Sequence, residues 1–97
     1  MEMEFEWDED KRRLNLEKHG IDFEDAITIW EGDVVQAVCG QIHHAEERFL
    51  ALGLLAGRVI CIVFTYRVGR TRIISARRAR HHEREDYQKA IVRETEG

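Results

Sequence analysis

Residues 58–66, RVICIVFTY, are apolar at nearly every position. A run of this kind marks a β-strand covered on both faces, and therefore a strand central in its sheet. Its continuous apolar core, Val59 to Phe64, is far short of the roughly 20 residues that a membrane span needs. A chain of 97 residues suits one domain over residues 1–97, so the sheet must find its cover within a short stretch of neighbours.

Those neighbours read clearly. MEFEW alternates Glu4 and Glu6 with Phe5 and Trp7, a short strand with one wet face. Asp8 is placed to cap a helix over EDKRRLNLEKH, and Gly20 suits its left-handed end. Asp22 caps a second helix, FEDAITIW, which Gly32 stops. The strands DVVQAVC and ERFLALGLLA come next, and a turn centred on Ala56-Gly57 leads into the apolar run. A turn at Val68-Gly69 then leads to the last strand, RTRIISA. Short connections predict a sequential antiparallel meander. A final helix over about residues 79–95 points Ala79, Glu83, Tyr87, Ala90 and Ile91 inward. The fold class is α+β: an antiparallel sheet of four to five strands, two N-terminal helices and one C-terminal helix. Glu83 on an inward stripe needs a cation, and Arg72 and Arg77 are the nearest supply; otherwise it is a solvated surface acid.

The formal net charge is −4, yet it is segregated. Residues 1–33 hold twelve acids and four bases, while residues 67–93 hold nine bases and three acids. Arg67, Arg70, Arg72, Arg77, Arg78 and Arg80 fall within fourteen residues that contain no acid. The two halves either neutralise each other or present a basic face to a polyanion. Strict alternation puts Arg70, Arg72 and Ile74 on one face of the last strand, and Thr71, Ile73 and Ser75 on the other. Guanidinium is a planar fork that matches phosphate oxygens. Forks on a strand, rather than on a helix, suit single-stranded RNA lying across a sheet. An arginine-rich edge strand can also simply discourage edge-to-edge pairing.

Cleavage of RNA without a metal needs a base for the 2′-OH, a cation for the transition state and an acid for the departing 5′ oxygen. Lys18 and His19, at the end of the first helix, offer an ammonium and an imidazole beside a tight turn. The same position also suits a cation that only caps the helix end. Glu83 and Tyr87 are further proton-transfer candidates. Other chemistries are weakly represented. His43-His44 and His81-His82 lack metal-ligand spacing, so no metal and no cofactor are expected. Cys39 and Cys61 read as reduced core residues. The acidic N-terminus is unlike a signal peptide, and a cytoplasmic protein is expected.

FEWDEDKRRLNLEKHGIDFEDA, ERFLALG, RIISARRA and the final ERE with Tyr87 resemble the BrnT toxins of bacterial type II toxin–antitoxin systems. The resemblance runs from Phe5 to about Tyr87. It implies a RelE-like fold and a ribonuclease activity that halts translation. It also implies a BrnA-type ribbon-helix-helix antitoxin that makes the operator DNA contacts, with two toxins per antitoxin dimer. The matching motif positions are Trp7, Lys18, His19, Arg48, Arg72, Ser75, Arg77, Glu83 and Tyr87. Catalysis is assigned to Lys18, His19, Arg72, Arg77, Glu83 and Tyr87, with Glu83 orienting an arginine or acting as base. RNA binding is assigned to Arg48, Arg67, Arg70, Arg78 and Arg80. Trp7 is expected in the core, the alternative being a platform on which a base stacks. GQIHHAE is read as a connection that departs from the family pattern. The rival reading is a non-catalytic subunit that uses the basic face for docking.

Overall fold

The computed structural model describes residues 3–43 and 46–96, with the side chains of 40–43 and 94–96 left aside. The elements are β1 (Phe5–Glu6), α1 (Glu9–His19), α2 (Phe23–Ala26), a 3₁₀ segment (Ile27–Glu31), β2 (Val35–His43), β3 (Glu46–Leu55), β4 (Arg58–Arg67), β5 (Arg70–Arg78) and α3 (His81–Glu96). They build one five-stranded sheet in the order β1-β5-β4-β3-β2. Much of the segment read as an atypical connection is strand: β2 extends to His43, and His44 lies outside the described residues.

β2 to β5 form the expected antiparallel meander. The turn residues are Ala56-Gly57 and Val68-Gly69, all at positive φ, as two-residue hairpin turns require. β1 departs from the meander. It pairs in parallel with β5, Phe5 opposite Thr71 and Glu6 opposite Arg72, so the first strand closes the far edge of the sheet. Its apolar residues hold it there. Phe5 lies 5.3 Å from Trp30, and Trp7 meets the edge of Phe23 at 6.0 Å between ring centroids. Trp7 is thus a core residue.

The apolar run occupies β4, flanked by β3 and β5. Its alternate residues serve two cores. Ile60, Ile62 and Phe64 pack with Phe23, Ala26, Ile29, Ile73 and Ala76 under the N-terminal helices. Cys61 packs on the other face with Leu52, Ala79 and Tyr87 under α3. Covering both faces is what makes the strand apolar at successive positions.

The second helix is shorter than its sequence suggests. It keeps only Phe23–Ala26 as α-helix before tightening to 3₁₀. The β-branched run Ile27-Thr28-Ile29 favours helix weakly. Ile29 then sits directly over Gly53, where an added Cβ would lie 2.7 Å from Ile29 Cβ. α3 begins at His81 rather than residue 79, because Ala79 still donates to the Val59 carbonyl of the sheet.

α1 is anchored by a polar residue. Its buried residue is Asn15, whose amide donates to the carbonyls of Ile21 (3.0 Å) and Ala76 (2.8 Å) and accepts from Ala76 N–H (3.1 Å). β1 covers only the first part of the β5 edge, and Asn15 takes the place of a strand partner further along. Replacing it leaves buried backbone groups without partners, which is costly. Asn15→Ala is expected to lower stability by about 3 kcal/mol, read as a shift in the urea midpoint with an unchanged slope.

Candidate functional site

β5 carries one extra residue. Phe64 pairs with Ile73 and Val63 with Ser75, so the ladder skips Ile74. This β-bulge overturns the strict alternation expected for the strand. Ser75 moves to the face of Arg72, and Arg77 goes with it, opposite Cys61. Ala76 and Arg78 turn to the helix-covered face, so Arg78 leaves the cluster. Five residues of unbroken strand would have put Arg72 and Arg77 on opposite faces.

α3 crosses only part of the face shared by Arg72 and Arg77. The remainder is open, and it holds a cavity of about 210 Å³ lined by Lys11, Glu46, Arg48, Arg67, Arg72 and Ile74. Arg67 donates to Glu46 through Nε (3.1 Å) and Nη2 (3.0 Å). Arg72 donates to Glu6 at 2.6 Å, and Arg70 faces Glu4 and Glu6 at 3.5 and 4.0 Å. Acids of the N-terminal strand therefore neutralise part of the arginine cluster. Arg48 is different: its Nε is buried and has no hydrogen-bond partner among the described residues. A buried cationic donor without an acceptor is costly, and an anionic ligand oxygen would satisfy it.

Arg77 lies further along the same face, outside that cavity. Its fork meets Glu83 in two parallel bonds, Nη1 to Oε1 at 2.8 Å and Nη2 to Oε2 at 3.0 Å. Glu83 also accepts from the Arg80 backbone N–H at 2.7 Å, closing the first turn of α3 as half of a capping box. One carboxylate thus fixes both the helix start and the arginine. The Arg77 bond, opposed by burial and helped by the Arg80 N–H, holds the Glu83 pKa down at about 2. So weak a base is unsuited to accept a proton near neutral pH, which favours the orienting role over the catalytic one. Tyr87 is buried, and its hydroxyl donates to the Asp33 carbonyl at 3.1 Å. Burial pushes the neighbouring Cys61 thiol up to about 11, keeping it neutral.

Lys18 and His19 occupy the last turn of α1, exposed, one turn beyond Asn15 and outside the cavity. Arg80 is exposed at the corner before α3. Lys11 was missed by sequence reasoning. Its signal was the four-residue spacing to Asn15, which turns both toward β5 once Asn15 is known to face inward. Among the described residues no group of three or more His, Cys, Asp or Glu is arranged to hold a metal ion. No helix among them is long and apolar enough to cross a membrane.

The family model described as "Ribonuclease toxin, BrnT, of type II toxin-antitoxin system" matches residues 7–83. The chain belongs to the BrnT family. Comparison with curated individual proteins gives no match. The matched span opens at Trp7 and closes at Glu83, so it takes in α1, the whole β2–β5 meander and the bulge. The five-stranded sheet with three helices agrees with a RelE-like toxin fold. BrnT membership makes the protein a ribonuclease toxin of a type II system, with an antitoxin as partner and RNA as substrate.

The Glu83 pair has a pH signature. Its carboxyl titrates lower in the folded chain than the ordinary value of 4.5, so the stability it contributes is complete above about 4.5 and disappears as pH falls toward 2. Against Glu83→Gln, the wild type is expected to be more stable by on the order of 2–3 kcal/mol at pH 7. That difference should close between pH 4.5 and pH 2 in parallel denaturant titrations.

Proposed function

We propose that this BrnT-family chain cleaves RNA internally, without a metal, on the open sheet face, with the scissile phosphate in the cavity of Lys11, Arg48, Arg67 and Arg72. The observation that carries this reading is the buried, unpartnered Nε–H of Arg48. A phosphate oxygen is the acceptor it lacks, and Arg72 approaches the same cavity from β5.

The chemistry follows from the cations. The 2′ oxygen attacks phosphorus as its proton passes to a base. The P–O5′ bond breaks and the 5′ oxygen takes up a proton, leaving a 2′,3′-cyclic phosphate and a 5′-hydroxyl. Arg48 and Arg72 donate to the equatorial oxygens, where negative charge accumulates. Arg77 has an Nε–H left over from its Glu83 fork and steadies the neighbouring phosphate. Arg67, Arg70 and Arg80 add attraction for the backbone. Lys18 and His19, at the far end of the helix that supplies Lys11 and outside the cavity, are assigned to positioning the RNA strand rather than to proton transfer at the scissile phosphate. A BrnA-type ribbon-helix-helix antitoxin is the assigned partner, as two toxins per antitoxin dimer in the cytoplasm, with operator DNA contacted through the antitoxin. A second reading, a docking subunit without catalysis, is favoured by one observation: Arg67, Arg70, Arg72 and Arg77 already face carboxylates.

The purified chain is expected to cut single-stranded RNA in excess EDTA. Arg48→Ala should reduce the rate by about 10²-fold or more while leaving stability unchanged or slightly raised, since it removes an unsatisfied donor. RNA that is bound but left intact by the wild type would establish the docking reading. Cleavage abolished by EDTA would show a metal requirement.

A further inference from the structure

α3 divides the second face of the sheet. The phosphate cavity lies on one side of the helix. On the other, between α3 and the β3–β4 hairpin, lies a larger cleft of about 550 Å³. Its floor is aliphatic. Leu54, one residue pair from the Ala56-Gly57 turn, is 52% exposed, and Val59 lies opposite it. Its rim is basic: Arg84 comes from α3, and Arg58 and Arg78 border the cleft from strand ends whose register belongs to the other face. Arg84 is braced by its bond to the Ala79 carbonyl at 2.8 Å. Neither Arg58 nor Arg78 has a carboxylate partner among the described residues, in contrast to most of the cluster on the open face.

We propose that this cleft is a protein-docking site for an acidic, leucine-anchored segment of the antitoxin; the site is argued from its geometry, and only the identity of its occupant rests on the toxin–antitoxin reading. Two arginines without partners attract a segment with two or more carboxylates, and the bare Leu54–Val59 floor takes an aliphatic side chain between them. Two features favour peptide over RNA. The floor offers no exposed aromatic ring for a base to stack on, since Tyr87 is buried. Gln88, on the rim, can both donate to and accept from an extended peptide backbone. A segment seated here lies across α3 from Arg48, so it holds the partner without entering the phosphate cavity.

The experiment is an NMR titration of the ¹⁵N-labelled chain with two probes: a synthetic twelve-residue Glu/Asp peptide with a central leucine, and a 2′-O-methyl RNA oligonucleotide that cannot be cleaved. The peptide is expected to shift Leu54, Val59, Arg84 and Gln88 and to leave Ser75 and Ile74 unmoved. Leu54→Glu and Arg58→Glu should each weaken it at least tenfold. Leu54 and Arg58 are exposed, so both variants should fold, and their RNA cleavage should match the wild type. Peptide and oligonucleotide should bind together. Peptide shifts confined to the open face, competition between the two probes, or oligonucleotide shifts at Leu54 would each overturn the proposal. Those outcomes leave cleavage in EDTA untouched, so failure here is distinguishable from failure of the ribonuclease reading.

Discussion

The single extra residue in β5 organises both halves of the molecule. By skipping Ile74, the ladder turns Arg72, Ser75 and Arg77 to one face and sends Ala76 to the other. The first consequence builds the basic surface. The second builds the fold, since Ala76 presents its backbone to Asn15 and so fixes α1 along the sheet edge. α1 in turn brings Lys11 to the cavity. An unbroken strand would lose the shared arginine face and the helix anchor together. Bulges are common where a strand must re-aim side chains beside a functional surface.

The arginines of an acidic protein are accommodated in two ways. Most are partnered. Glu4 and Glu6 come from the strand that lies against β5, Glu46 from β3 and Glu83 from α3. These pairs add modest stability where exposed, but they orient the forks. In the Arg77–Glu83 pair the two-pronged bond outweighs the cost of burial and keeps the carboxylate ionised over the physiological range. Among the described residues Arg48 Nε has no acceptor and Lys11 has no ion pair, with Glu46 the one acid in the cavity lining. The ion pairs hold the Arg67 and Arg72 forks in the cavity wall, while the buried Arg48 Nε–H beside them lacks the acceptor that an anion would supply.

Much of this was legible in the sequence because it is governed locally. Asp8 and Gly20 cap α1 as their side-chain chemistry dictates, and the two turns fall at Ala56-Gly57 and Val68-Gly69. The doubly covered strand announced itself by composition. The partner of Glu83 followed from its inward position, as one of two candidates. What escaped was set by long-range pairing. No local signal marks Ile74 as the skipped residue, because Ile73-Ile74-Ser75 is an ordinary strand sequence. Without the bulge, alternation gives the wrong face for Ser75. β1 joins β5 at a sequence separation of 66, guided by aromatic packing rather than by a turn. Lys11 could not be assigned before Asn15, and Asn15 carried no sign that a polar residue would be the buried one.

The central claim is that RNA meets the face shared by Arg72 and Arg77, and that Arg48 is its inner contact. Arginine Nε–Hε spectra of the chain, recorded as the uncleavable oligonucleotide is added, address it directly. The account predicts that the Arg48, Arg72 and Arg77 signals move together and gain protection from solvent exchange, while Arg78 stays where it was. Movement of Arg78 with Arg48 and Arg72 unchanged would contradict it.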